Sequence, residues 1–309
     1  MSTASLSQSS PLRTAGPFRL SVAILLFVVV TILKGALTTS TGSGLAYLDW
    51  PLSDGQLMPE SSYTTLPGFF EHFHRVVGAV TGLLALCLAC WLQFWRLGTP
   101  VARLTAWCGG TLILLQGLVG GAGVLKGLPA ITSVTHGTLA QLTLAVFGCL
   151  SYLLSDRYAA TPVAVGVRTG AGRKLAVAAV VVLVVQTVVG AVARHTNNAH
   201  ALWTHVGNAF VVFVVVAIAT AFAVGKLATS PGIVGLARTT VTLLLLQVVL
   251  GFVALLVRNS AGKTPENVER LGNAILISLH VLLGALLTVL AATLAAHVFR
   301  ATRAPDPRA

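Results

Sequence analysis

Eight long apolar runs dominate the chain, separated by short polar stretches. They fall near 20–38, 72–95, 103–124, 132–154, 174–193, 203–224, 236–257 and 274–298. Each approaches the roughly 20 residues that carry a helix across the hydrocarbon core of a bilayer. Stretches such as "LSVAILLFVVVTIL" and "KLAVAAVVVLVVQTVVGAVA" are too long and too charge-poor for strands of a soluble core. In lipid, each spanning segment has to satisfy its own backbone N–H and C=O groups. The pattern therefore predicts an all-α membrane protein with eight transmembrane helices. The first run is long enough to span and no small-residue cleavage site follows it, so it reads as the first span rather than a signal peptide.

The polar positions inside the runs repeat. Spans three, five and seven carry glutamine four residues before glycine: Gln116 and Gly120, Gln186 and Gly190, Gln247 and Gly251. Span one offers a degenerate version at Lys34 and Thr38. The even spans each carry a histidine near their start, His74, His136, His205 and His280, with glycine close behind. This alternation reads as two copies of a four-helix unit, giving two pseudo-symmetric four-helix bundles. The expected division is 1–154, a polar cytoplasmic linker at 155–173, and 174–309. Glycine in an apolar helix also permits close helix crossing, the other reading of these positions.

Charge sets an expected orientation. Apolar residues make up 55% of the chain and charged residues 9%, with a mean hydropathy of +0.87. If the N-terminus is cytoplasmic, thirteen of the twenty Lys and Arg residues fall on the inner side. Six of the eight acids fall on the outer side. The positive-inside rule then places both termini in the cytoplasm of a multi-pass plasma-membrane protein. The net charge of +12 is spread over short loops, which argues against nucleic-acid binding. Cys87, Cys90, Cys108 and Cys149 all lie within spans and read as small packing residues.

With this orientation the even spans run from outside to inside. All four span histidines then share one layer just below the outer surface. One intramembrane imidazole often serves only as an interhelical hydrogen-bonding group. Four at matched depth, two per half, suit the paired axial positions of a haem iron. Zinc fits less well, because no cysteine or carboxylate recurs in both halves. Only the first half adds an acid: "EHFHR" places Glu71 three residues before His74. Glu71 is the candidate catalytic group, able to move a proton or to oppose developing positive charge. Arg75 is a candidate partner for a haem propionate. His72 is expected at the interface. Tyr47 and Trp50 suit an outer segment that caps the histidine layer. His195 and His200 are expected at the surface, or at most behind the ligands.

These residues resemble the haem A synthase family over essentially the whole chain. The resemblance rests on "TGSGLAYLDWPLSDGQLMPE" from Thr41, on Glu71-x-x-His74-Arg75, and on the twofold eight-span layout with four histidines. It implies oxidation of the C8 methyl group of haem O to a formyl group, giving haem A for cytochrome c oxidase. It also implies a haem b at His205 and His280, and haem O as substrate at His74 and His136, with Glu71 functionally important. The implied partners are the haem O-producing enzyme, membrane lipid and an unidentified electron acceptor or donor. Many bacterial members carry a cysteine pair in the first outer loop, where this chain has Tyr47 and Ser53, so disulfide-linked redox function is excluded here. Two rivals predict different behaviour. A dihaem cytochrome b needs the four histidines but not Glu71, and a repeat-built transporter binds no haem.

Overall fold

The computed structural model describes residues 11–163, 169–258 and 268–302. Among these, eight helices are long and apolar enough to span a membrane: α1 (Pro11–Ser40), α3 (Leu66–Phe94), α4 (Pro100–Leu125), α5 (Ala130–Leu154), α7 (Thr169–Thr196), α8 (Ala199–Leu227), α9 (Ile233–Val257) and α10 (Val268–Ala301). Two short helices, α2 (Ser61–Thr64) and α6 (Asp156–Ala160), lie in the connections. The protein is therefore an all-α, multi-pass membrane protein. The helices outrun the apolar stretches because polar caps extend them. Thr65 and Thr99 accept from the backbone N–H of Gly68 and Ala102, each with proline in the first turn. Asn198 caps α8 in the same way, through Ala201 N.

Two connections are short enough to force antiparallel neighbours. Asn197 (φ 51°) and Asn198 alone separate α7 from α8. Gly127, at φ 71°, turns the chain between α4 and α5, and Leu128 N closes the turn on Gly123 O at 2.7 Å.

Helix α1 packs on α3, α3 on α4, α4 on α5, and α5 back on α1, closing a ring of four. The helices α7, α8, α9 and α10 close a second ring in the same order. The rings meet where α10 lies against α5 and α1, and where α7 lies against α5. Gly148 makes this approach possible, because a Cβ there would sit 2.5 Å from a Val289 methyl. Ala285 and Val289 of α10 accordingly belong to the same core as Ile24, Leu88, Leu144 and Phe147 of the first ring. The segment expected as a polar linker holds α6 and the start of α7, and 164–168 lie outside the described residues.

Candidate functional site: two pairs of buried imidazoles

The histidines sit where two helices of one ring face each other. His74 on α3 and His136 on α5 have ring centroids 6.1 Å apart and planes at 82°. His205 on α8 and His280 on α10 have centroids 6.2 Å apart and planes at 83°. The two rings of helices thus repeat one arrangement.

A single backbone device seats them. His74 Nδ1 lies 3.1 Å from Thr31 O, His136 Nδ1 lies 3.2 Å from Gln116 O, and His205 Nδ1 lies 3.1 Å from Gln186 O. In each case Nδ1–H donates to the carbonyl, so Nε2 is left with its lone pair. Four residues beyond each carbonyl stands a glycine: Gly35, Gly120 and Gly190. A Cβ on these would lie 2.7, 3.1 and 2.7 Å from the histidine Cε1. The offset follows from helix geometry. A helical side chain leans back over the turn that precedes it, so a Cβ at i+4 would cover the carbonyl of residue i. Glycine uncovers that carbonyl and lets the imidazole edge reach it. The fourth pair, Gln247 and Gly251 against His280, has the same placement, with the would-be Cβ 3.0 Å from Cε1. There Nδ1 makes no well-formed hydrogen bond.

This corrects the register read from the sequence for span one. The counterpart of Gln–x–x–x–Gly in α1 is Thr31 and Gly35, not Lys34 and Thr38. The glycines serve the histidines as well as helix crossing. The glutamine side chains vary in use. Gln186 accepts from Asn208 Nδ2 at 2.8 Å and donates to His205 O at 2.9 Å, whereas the buried Oε1 atoms of Gln116 and Gln247 have no partner.

The spacing accommodates one metal ion per pair. Two metal–imidazole bonds of about 2 Å, plus roughly 1.2 Å from nitrogen to ring centre on each side, would separate the centroids by about 6.4 Å. The observed 6.1 and 6.2 Å fit this closely. All four histidines are half-buried as whole residues. Among the described residues no group of three or more His, Cys, Asp or Glu side chains converges as a metal site. Two protein ligands per ion suit a metal whose other positions a macrocycle fills.

Glu71 and Arg75 form a buried ion pair one helical turn apart on α3. The other Glu71 oxygen accepts from Tyr47 N at 3.1 Å. Arg75 Nη1 donates to Asp49 O at 2.8 Å and to Leu52 O, and Nη2 donates to Tyr47 O at 3.1 Å. The guanidinium thus ties the segment between α1 and α2 to α3 and to Glu71. That segment also reaches α4, where Trp50 fills the space a Cβ on Gly121 would need. It lies across α3 and α4. Asp49 accepts from Gly55 N at 2.8 Å and Asp54 N at 2.9 Å, and the Gly55 bond foremost holds its exposed carboxyl below the ordinary value.

Sequence reasoning missed His72. Expected at the interface, it is only 3% exposed, with Nδ1 3.0 Å from Ser53 Oγ and its ring edge-on to Tyr47 at 6.1 Å. Residues 47 and 53 thus clasp His72 from both arms of the segment between α1 and α2. His195 is half-buried on α7, and His200 is exposed as expected. His297, not singled out from the sequence, is buried near the far end of α10 and stacks on Tyr152 at 5.5 Å. Cys87 and Cys108 lie exposed on helix surfaces, and Cys90 and Cys149 are half-buried.

The fold and site define a class: a helical membrane protein with two repeated pairs of facing imidazoles. Residues 18–212 match the model of the cytochrome oxidase assembly proteins, COX15-CtaA, and the chain belongs to that family. The match takes in His74, His136 and His205. Among similar curated proteins is one named Heme A synthase from Roseobacter denitrificans, 30% identical over 146 residues, covering 44% of this chain and 38% of that protein. Another of that name, from Halalkalibacterium halodurans, is 29% identical over 174 residues, covering 55% and 56%. A third, from Symbiobacterium thermophilum, is 32% identical over 154 residues, covering 46% and 49%. The chain thus spans about half the length of the curated relatives it matches.

Proposed function

We propose that this protein is a haem A synthase, an oxidoreductase that converts the C8 methyl group of haem O to a formyl group. The repeated imidazole pair carries the reading, with its 6.1 and 6.2 Å spacing and glycine-uncovered carbonyl seats. The relatives named Heme A synthase support it. Two four-helix halves related by a pseudo-twofold axis account for the two closed rings of helices. His205 and His280 hold a resident haem b, and His74 and His136 take haem O. Both termini are cytoplasmic and the histidine layer lies near the outer face of the plasma membrane.

A bound haem iron supplies one-electron redox chemistry. The chain's own residues do the rest. The carbonyls of Thr31, Gln116 and Gln186 fix the tautomer, keeping protons on Nδ1 and lone pairs on Nε2. The outer segment, pinned by Arg75, shields one pair from bulk water. Glu71, paired to Arg75, holds negative charge one turn before His74 and accepts a proton released near it. Counted against water, methyl to formyl takes one H2O and releases four protons and four electrons. An external electron acceptor is therefore required. The haem O-producing enzyme is the natural partner on the substrate side.

Haem extraction from protein expressed in cells that make haem O but no haem A tests the proposal. Haem b together with new haem A, or its hydroxylated intermediate, is the expected result. Haem b alone, with haem O available, would make the protein a dihaem electron carrier. A folded protein without haem would leave the transporter.

A further inference from the structure

Arg194 lies on α7 one turn beyond Gly190, the seat of His205. Its Nη2 donates to Ala36 O at 3.0 Å and to Ser40 Oγ at 2.8 Å, both on α1. Ser40 Oγ is in turn 3.0 Å from Ser278 Oγ on α10, two residues before His280, and both serines are fully buried. The guanidinium is thus wedged where α7, α1 and α10 meet. Its Nε and Nη1 make no hydrogen bond to any described residue, and the residue as a whole is half-buried.

No carboxylate among the described residues pairs with Arg194. An uncompensated cation inside a membrane domain is costly, and the usual resolution is an anion that arrives with a ligand. A tetrapyrrole between His205 and His280 carries two carboxylates on one edge of an otherwise apolar disc. That edge would turn toward the polar outer end of the bundle, and Arg194 stands one turn outward from the His205 seat.

We propose that Arg194 is the binding residue for a carboxylate of the tetrapyrrole held by His205 and His280. The assignment rests on the haem reading above. It gives Arg194 two jobs, a fixed tie to α1 through Nη2 and a charge-assisted contact to the ligand through its remaining donors.

The test compares binding of haem and haem dimethyl ester to the full-length protein in detergent. A His74→Ala background restricts the readout to the His205–His280 pair. The ester keeps iron and macrocycle but removes both negative charges. The Arg194 protein is expected to prefer the diacid by about tenfold or more. Arg194→Gln is expected to bring the two affinities to near parity. Arg194→Lys, which keeps the charge but loses the fork, is expected to shrink the preference by a smaller factor. Ser40→Ala, which removes a partner of Nη2 only, is expected to leave it intact. Where Arg194→Gln does not fold, Arg194→Lys decides. A preference unchanged from the parent in the folded Arg194 variants overturns the proposal. Failure of the parent to bind either porphyrin overturns the haem reading itself, and this proposal with it.

Discussion

Gly190→Ala isolates the carbonyl seat from every other role of glycine. An alanine Cβ there would lie 2.7 Å from Cε1 and 2.8 Å from Nδ1 of His205. Ordinary contact begins near 3.4 Å, so the ring has to retreat by about 0.7 Å. The Nδ1 to Gln186 O distance of 3.1 Å would then reach roughly 3.8 Å, beyond hydrogen-bonding range. Overpacking of about 1–3 kcal/mol and a lost hydrogen bond of about 1 kcal/mol together give roughly 2–4 kcal/mol. At about 1.4 kcal/mol per decade, haem affinity at this pair should fall roughly 30- to 700-fold. The control is Gly207→Ala on α8, where a Cβ meets nothing within 4 Å. It carries the helix-propensity gain of the same exchange, about 1 kcal/mol, without the collision. Haem b per polypeptide, read as the pyridine haemochrome, and the low-spin ferric spectrum report the result. Equal haem content and identical spectra in the two variants would refute the seat.

The remaining predictions concern the segment between α1 and α2 and the acid. Glu71→Ala should abolish conversion of haem O while haem b stays close to the parent level; loss of haem b with activity retained would reverse the assignment of the two halves. Arg75→Ala should destabilise the first ring by about 3–5 kcal/mol, because Glu71 is left buried and unpaired, and should speed proteolysis of residues 45–55. An unchanged cleavage rate would mean that the segment is held elsewhere. Ser53→Ala should cost about 1–2 kcal/mol, seen as a lower melting temperature, by leaving both ring nitrogens of His72 without partners. Asp49 gives a pH dependence. Its carboxyl is depressed in the fold, so its contribution is full above the ordinary value of about 4 and is lost as pH falls through the folded value. Amide protection at Asp54 and Gly55 should fade over that acid range, and Asp49→Asn should remove the pH dependence.

The spans were legible because lipid leaves a chain few choices: twenty apolar residues must be a helix, and the eight runs are the eight long helices. The histidine pairs were legible too, because an imidazole stands out in an apolar run. What lay hidden was decided by backbone or by distance. Thr31 and Gly35 went unread because Thr31 acts through its carbonyl, which its side chain does not advertise. His72 looked interfacial because its burial depends on Tyr47 and Ser53, some twenty residues away in sequence. Arg194 was not singled out at all; its place beside α1 follows from how the rings meet, which no local pattern encodes.

The seats for the imidazoles have a consequence for how this site tolerates mutation. The orienting acceptor is main chain in each well-formed case, so no codon change at Thr31, Gln116 or Gln186 can delete it. Selection can act on the seat only through the residue that uncovers it. A saturation scan should therefore find residues 31, 116 and 186 permissive to varied side chains that keep the helix, and residues 35, 120 and 190 restricted to glycine. The genetic signature of the histidine sites would then lie one helical turn away from the groups that do the orienting.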